Sequence, residues 1–124
     1  MAPEDHKTKT AEAVVTDAAS LETVVAALAQ CPAKHVLLTS PPGGALTLGP
    51  LFFRKLMDLA AARFPDKTLR GRLDCADKPG LVLAAFRHGL DAAVETDDER
   101  YRRLQEIAHA SGQQVVRNQR RRGG

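Results

Sequence analysis

The run LRGRLDCADKPGLVLAAFRHGLDAAVETDDERYRRLQEIAHASGQQVV, residues 69–116, decides the fold class of this 124-residue chain. Its apolar residues change period along the run, from the alternation typical of a strand to the spacing of a helix and back again. The pattern is strand, helix, strand, helix, strand. Strands that alternate with helices indicate parallel pairing and right-handed crossovers. The sequence therefore predicts an α/β protein.

The same alternation extends towards the N-terminus. Ser20 is suited to cap a helix that Pro32 ends, and His35–Thr39 (HVLLT) is a short apolar run typical of a central parallel strand. A further helix is expected over Pro50–Arg63, because proline is well tolerated in a first helical turn. We therefore predict a small three-layer sandwich in which four helices cover a four-stranded, mostly parallel sheet.

The apolar pattern of each strand predicts its place in that sheet. His35–Thr39 and residues 92–95 are apolar on both faces and are expected at the centre. Residues 69–73 carry two arginines on one face, which is typical of an edge strand, and residues 113–116 form a weak strand at the other edge. The favoured order is 2-1-3-4. A sequential sheet, like half of a barrel, is the open alternative.

A chain of this length supports one hydrophobic core, so a single domain is expected at residues 20–117. Residues 1–19 are mostly polar and are predicted to form a flexible N-terminal tail. Within them, residues 11–15 (AEAVV) could instead pair as an edge strand or extend the next helix. Residues 118–124 are predicted to form a basic C-terminal tail.

Charge is concentrated at one end of the chain. The net charge is +3 and the pI is near 9.1. Four arginines near the C-terminus account for this excess: Arg117, Arg120, Arg121 and Arg122. A uniformly basic surface is therefore not implied, and the corresponding hypothesis is weak nucleic-acid contact through the arginine tail alone.

Cysteine usage and hydropathy predict the compartment. Cys31 and Cys75 are the only cysteines, and the first residues lack the apolar segment of a secretory signal. No apolar run approaches the roughly 20 residues that a membrane-spanning helix needs. We therefore expect reduced thiols and a cytoplasmic protein with no membrane contact.

A ligand site is predicted beyond the carboxyl ends of the strands, where open parallel sheets bind their ligands. The loop SPPGGALTLG, residues 40–49, offers glycines, hydroxyls and a following helix N-terminus, which are the parts of an anion site. The next loop adds a carboxylate and a lysine. The candidate residues for a small phosphate or nucleotide ligand are Ser40, Gly43, Gly44, Thr47, Asp74 and Lys78. The competing interpretation is a plain connecting loop, since neither a Walker motif nor GxGxxG is present.

Catalytic and metal sites have weaker support. Helix capping accounts for most of the carboxylates that could hold Mg²⁺ near this edge, which are Asp74, Asp77, Asp97 and Asp98. Cys75 lies near a helix start, where a thiol pKa can fall, but no histidine is adjacent to serve as its base. Metal-ligand spacings such as CxxC and HExxH are absent. We expect no catalytic residue, no metal and no cofactor, and a protein that is not an enzyme.

Arg70 and Arg72 are the candidate interaction residues, because they share the outward face of a predicted edge strand. Phosphate contact is one use for such a pair. A solvated edge that discourages strand-to-strand aggregation is the other.

The segment Asp77-Lys78-Pro79-Gly80-Leu81 resembles the Asp-Ser-Ser-Gly-Leu helix start of STAS domains, the anti-sigma-antagonist family. The short α/β alternation over residues 20–111 is similar too. This chain carries Pro79 where that family has its phosphorylatable serine, and it lacks the family's N-terminal strand pair. The resemblance therefore implies a protein-interaction role without the phosphorylation switch.

Two functions follow as hypotheses. The leading one is a non-catalytic α/β interaction or regulatory module, whose partner is another protein or a second copy in a homodimer. The broad apolar face of the helix at residues 52–64 could take such a partner. The alternative is the phosphate or nucleotide site at the carboxyl ends of the strands.

Overall fold

Strands and helices alternate throughout the computed structural model, which describes residues 12–15 and 18–118. The strands of this part of the chain are β1 (Glu12–Val15), β2 (His35–Thr39), β3 (Thr68–Asp74), β4 (Asp91–Val94) and β5 (Val115–Arg117). The helices are α1 (Leu21–Ala29), α2 (Gly44–Thr47), α3 (Pro50–Arg63), α4 (Pro79–Arg87) and α5 (Asp98–Ser111).

Every strand pairs in parallel with the next strand along the chain, so the order is β1-β2-β3-β4-β5. The predicted α/β fold with a parallel sheet is confirmed. The predicted four strands, four helices and order 2-1-3-4 are wrong, and the sequential alternative is the observed one. The additional strand is β1, from the AEAVV segment that the sequence left open. The additional helix is the single turn α2, inside a loop that was expected to be irregular.

The strand with the two arginines lies at the centre of the sheet and not at its edge. β3 pairs with β2 on one side and with β4 on the other. Its alternating pattern predicts an edge strand, because the central strands of parallel sheets are normally apolar on both faces. The same alternation arises in a central strand when helices cover only one face of the sheet.

The sequential order places the connecting helices on one face. Each crossover is expected to be right-handed and runs in the same direction, so each helix returns over the same side. The strand residues that point to that side are buried, as at Leu38, Leu73 and Val94. A Cβ atom added to Gly71 would lie 2.9 Å from Sδ of Met57 and 3.0 Å from Cε2 of Phe53, both on α3. The described residues therefore form two layers, and the predicted three-layer sandwich is wrong.

The helices begin and end where the local chemistry requires. Oγ of Ser20 accepts a hydrogen bond from the backbone N–H of Thr23 at 3.2 Å and caps α1 as predicted. Asp97 caps α5 by accepting from the backbone N–H of Arg100 at 2.8 Å. Gly112 ends α5 with a φ of 76°, a conformation that glycine adopts without steric cost.

The two predicted tails are only partly described. Residues 1–11, 16–17 and 119–124 lie outside the described residues, and Arg120, Arg121 and Arg122 with them. Arg117, which was assigned to the basic cluster at the C-terminus, holds β5 to the start of α5. Its Nη1 lies 2.6 Å from Oδ1 of Asp98, and its guanidinium carbon lies 5.5 Å from the ring centroid of Tyr101.

No helix in the described part of the chain is long and apolar enough to cross a membrane.

Candidate binding face of the sheet

The face of the sheet opposite the helices, here called the open face, is built from rows of residues that lie side by side across the strands. The first row is Val14, Leu37 and Arg70 on β1, β2 and β3. Val14 is 57% exposed, Leu37 is half-buried and the side chain of Arg70 is 44% exposed. This face therefore offers apolar side chains next to a cation.

Two further rows lie nearer to the carboxyl ends of the strands. Thr39, Arg72 and Asp91 form the second row, and Asp74, Ala93 and Val116 form the third. The helices of residues 18–118 pack on the other side of the sheet, where α3 lies against Gly71 and Leu73 is fully buried. Parallel sheets are almost always covered on both faces, so an uncovered face of this kind is unusual.

Arg70 is tied into the open face by Asp91. Nε of Arg70 donates to Oδ2 of Asp91 at 2.9 Å, and Nη2 donates to Oδ1 at 2.7 Å. The backbone N–H of Gln114 donates to the same Oδ1 at 3.0 Å. Because Asp91 is only 3% exposed, these donors stabilise a buried carboxylate. Arg70 therefore has a structural role that the sequence analysis did not predict.

Arg72 is placed differently from Arg70. It is half-buried, and its guanidinium makes no ion pair or hydrogen bond with any residue that the structure describes. It borders two depressions of the open face. One, of about 90 Å³, lies beside Leu37 and Arg70, and the other, of about 310 Å³, lies at the strand ends beside Thr39 and Asp74. The two predicted interaction residues thus share a face, and only Arg70 has its charge neutralised on it.

Three of the six residues predicted to bind phosphate are in direct contact. Oγ of Ser40 accepts a hydrogen bond from the backbone N–H of Asp74 at 2.9 Å and donates to the carbonyl oxygen of Pro41 at 3.0 Å. A Cβ atom on Gly44 would collide with the Ser40 side chain, so a residue without a side chain is needed there. These contacts hold the ends of β2 and β3 together at the start of α2.

Several backbone donors of the glycine loop are used within the loop itself. The N–H of Gly44 donates to the carbonyl oxygen of Pro41 at 2.9 Å, and the N–H of Leu46 donates to that of Gly43 at 2.9 Å. Thr47 is exposed, and its Oγ1 lies 3.5 Å from the same Gly43 oxygen. Donors committed to one helical turn do not point at an incoming anion. The loop geometry therefore adds no support to the phosphate prediction, which stays a prediction.

Lys78 does not join the other candidates through any contact recorded among the described residues. It immediately precedes α4, is exposed, and places Nζ 3.7 Å from Oδ1 of its neighbour Asp77. Asp77, which was expected to cap this helix, makes no cap hydrogen bond, because Lys78 occupies the N-cap position.

The carboxylate of Asp74 accepts two hydrogen bonds. Oδ1 accepts from the backbone N–H of Ala76 at 2.9 Å, and Oδ2 accepts from Nδ2 of Asn118 at 3.3 Å. Asn118 was assigned to the C-terminal tail, and nothing in the sequence links it to a residue so far back along the chain. Carboxylate oxygens accept more than one hydrogen bond each, so Asp74 can still bind a donor.

Cys75 is not poised for nucleophilic chemistry. Its side chain is fully buried, and Sγ faces the carbonyl oxygen of Leu73 at 3.6 Å. Burial raises the pKa of the Cys75 thiol to about 12, and the negative charge of Asp74 adds to the shift. The reactive form of cysteine is the thiolate, so this thiol is inert at neutral pH. Cys31, like Cys75, is a free thiol.

The helix expected to dock a partner buries most of its apolar face. Phe53, Leu56 and Met57 of α3 belong to the core. Leu51, Phe52 and Leu59 are left about half exposed on its outer side. The apolar surface that α3 leaves for a partner is therefore narrower than its sequence indicates.

Within the described residues, no three histidine, cysteine, aspartate or glutamate side chains come close enough together to hold a metal ion. Thr96, Asp97 and Asp98 lie at the start of α5, where Asp97 is its N-cap and Asp98 pairs with Arg117.

In the segment that resembles STAS domains, residues 77–81, Pro79 begins α4. Comparison with models of known protein families, with characterised proteins and with solved structures finds no match for this chain.

Proposed function

We propose that the protein is a non-catalytic interaction module that binds another polypeptide on the open face of its sheet. The observation that supports this most strongly is the row Val14, Leu37 and Arg70, which no described helix covers although parallel sheets normally carry a second layer. Apolar side chains beside a cation are what an amphipathic partner needs. The free energy of binding would come from the apolar area, since the charge of Arg70 is already paired with Asp91.

The size of the open face favours a small element over a second copy of the chain. Five strands spaced about 4.8 Å apart and about four residues long make a face of roughly 20 Å by 15 Å. A standard stable interface buries about 800 Å² on each partner, so a face of this size suits a weaker, transient contact with a small element. One or two helices, each about 10 Å across, match it well. The partner we propose is therefore a helical segment of another protein, and its helices would complete the missing layer.

The same residues argue against catalysis as the main role. The described part of the chain brings no base near Cys75, whose buried thiol stays protonated. The open face carries Arg70 and Asp91, but these two neutralise each other. A binding role needs only the exposed apolar side chains of this face and no reactive group.

Site-specific photocrosslinking tests the proposal. A photoreactive phenylalanine analogue at position 37 of the full chain is expected to form an adduct with another polypeptide on irradiation in the producing cells. The same analogue at Glu106, which is exposed on α5, serves as the positional control and is expected to form none. Adducts at neither position, or at both equally, would contradict the proposal. An adduct of twice the chain's own mass would identify the partner as a second copy of the chain and not as another protein.

A matched pair of charge substitutions shows whether the adduct depends on this face. Val14 and Leu46 are exposed to nearly the same extent, 57% and 58%, but Val14 lies on the open face and Leu46 on α2. Val14→Glu is expected to abolish the adduct at position 37, because it places a charge in the contact area. Leu46→Glu is expected to leave it unchanged. Equal effects of the two would show that the adduct reports a non-specific encounter.

The second candidate function is small-ligand binding at the carboxyl ends of the strands. It is favoured by the cleft of about 310 Å³ beside Arg72 and Asp74, at the place where parallel sheets bind ligands. The sequence suggested phosphate or a nucleotide for this place. Thermal unfolding in the presence of nucleotides and sugar phosphates tests it, since a ligand that binds only the native state must raise Tm. An unchanged Tm at millimolar concentrations would rule out a phosphate or nucleotide ligand.

A further inference from the structure

The cleft at the strand ends has a distinct chemical character. It is bounded by Thr39, Ser40, Arg72, Asp74 and Asn118, with Pro42 and Ala93 beside them. Its volume, about 310 Å³, is at the lower end of the range for small-molecule sites. It opens on the same side of the sheet as the first row of the open face but lies two rows nearer to the carboxyl ends.

Arg72 supplies the cleft with a positive charge that no described residue pairs. No carboxylate of the described residues forms an ion pair with its guanidinium, although Asp91 is its register partner across β3 and β4. Asp91 is engaged by Arg70 instead. A half-buried charge without a partner is costly, and a guanidinium binds a planar carboxylate in a two-point geometry. The group that would best complete Arg72 is therefore a carboxylate.

Asp74 supplies a negative charge two residues further along the same strand. Both residues point to the open face, because side chains alternate along β3. Two positions along a strand are separated by about 6.7 Å, and these two side chains form no ion pair with each other. Asp74 accepts one backbone and one amide hydrogen bond and keeps lone pairs for another donor. The group that suits it is a cation with N–H donors.

We infer that this cleft binds a small zwitterion of the α-amino acid class, with its carboxylate on Arg72 and its ammonium on Asp74. The two protein charges are of opposite sign and face one cleft without neutralising each other, which is the complement of a molecule that carries both charges close together. A phosphate ester would satisfy Arg72 but would meet the like charge of Asp74. A simple carboxylate or amine would satisfy one group and leave the other unpaired.

Thermal unfolding of the full chain provides the first test. The probes are the twenty common L-amino acids, sodium acetate, methylammonium chloride and sodium phosphate, each at about 10 mM and neutral pH. At least one amino acid is expected to raise Tm by a few degrees, while acetate and methylammonium leave it unchanged. A rise with phosphate and with no amino acid would overturn the inference in favour of an anion site. No rise with any probe would overturn it outright.

Two conservative substitutions test the assigned roles, and each has a matched control. Arg72→Gln and Asp74→Asn are each expected to weaken binding of the selected amino acid roughly tenfold or more, since each removes a charge-assisted hydrogen-bond partner. Asparagine keeps an oxygen that can accept from the N–H of Ala76. Arg87→Gln and Asp77→Asn, at exposed residues that do not line the cleft, are expected to leave the dissociation constant unchanged. Equal loss in the controls would show that net charge, and not this cleft, governs binding.

Amide NMR of the labelled chain separates this site from the proposed protein interface. Saturable shifts on adding the amino acid are expected at Arg72, Asp74 and Ala76, and not at Val14 at the other end of the open face. Shifts spread over the whole sheet, or located elsewhere, would overturn the inference. Crosslinking at position 37 does not depend on this result, so either proposal can fail alone.

Discussion

Arg70 and Asp91 form a two-point ion pair across β3 and β4, with donor–acceptor distances of 2.9 and 2.7 Å. The aspartate is buried and the arginine is partly exposed, so the pair anchors one arginine of the open face. Arg72, whose Cα is the register partner of Asp91, makes no such pair with the described residues. Two arginines that look equivalent in the sequence therefore differ in surroundings: Arg70 is paired with a buried carboxylate, and Arg72 borders the cleft at the strand ends.

Substituting the two arginines should separate these roles. Arg70→Ala is expected to lower the free energy of unfolding by about 2 kcal/mol, because it leaves the buried Asp91 carboxylate with fewer donors. Arg72→Ala is expected to change it by less than about 0.5 kcal/mol. Urea denaturation followed by circular dichroism measures both. Equal losses would show that Arg72 is also part of the structural network.

Gly71 should tolerate no side chain, because α3 packs directly on it. A Cβ atom there would lie 2.9 Å from Sδ of Met57 and 3.0 Å from Cδ2 of Leu90. Gly71→Ala is expected to cost about 1 to 3 kcal/mol of stability through overpacking. Gly80→Ala is the control, since a Cβ atom at this α4 position meets nothing within 4 Å and is expected to gain about 0.5 kcal/mol. A tolerated Gly71→Ala would mean that α3 does not lie on this face.

The protein should be more stable with glycine at position 76 than with alanine. The φ of Ala76, 53°, lies in the left-handed region, which costs an L-residue roughly 1 to 2 kcal/mol. Because glycine has greater backbone freedom in the unfolded chain, we expect Ala76→Gly to gain only about 0.5 kcal/mol. Ala26→Gly, at an exposed position inside α1, is expected to lose about 1 kcal/mol instead. Chemical denaturation of the two variants should therefore give shifts of opposite sign.

Stability should fall in alkaline solution partly through Cys75. Burial raises its pKa from 9.0 to about 12, so above pH 9.0 the unfolded chain releases the thiol proton while the native chain keeps it. This contribution is fully present below pH 9.0 and is lost at up to about 1.4 kcal/mol per pH unit as the pH rises towards 12.

Cys75→Ala lacks this titration and isolates it from the other groups. The stability difference between wild type and Cys75→Ala should be constant below pH 9.0 and should move in favour of the variant above it. Denaturant titrations over a pH series measure the difference. A difference that does not depend on pH would show that the thiol is solvated in the native state.

The fold class could be predicted because it depends on local patterns. The alternation of strand and helix periods, the cap at Ser20 and the glycine at 112 are all properties of short segments. The strand order could not be predicted in the same way. The alternation of residues 69–73 is typical of an edge strand. The same alternation results when helices leave one face of a central strand bare.

Only part of what lies together at the strand ends could be predicted from the sequence. The proximity of Asp74 and Ser40 could be predicted because the carboxyl ends of parallel strands converge at one edge of the sheet. Asn118 was missed because its contact with Asp74 joins residues far apart in the sequence. Gly43, Gly44 and Thr47 form a helical turn that uses its own donors, a packing outcome that the residue types do not reveal.

Thiol footprinting measures whether the open face is accessible in the purified protein and covered by a partner in cells. Leu37→Cys and Leu38→Cys, in a chain with Cys31→Ser and Cys75→Ala, place probes on opposite faces of β2. Position 38 is fully buried and should stay protected everywhere. We predict that the cysteine at position 37 reacts rapidly in the dilute purified protein and is protected in the producing cells, where the partner is present. Protection of position 37 in the purified protein, or rapid reaction in both settings, would contradict it.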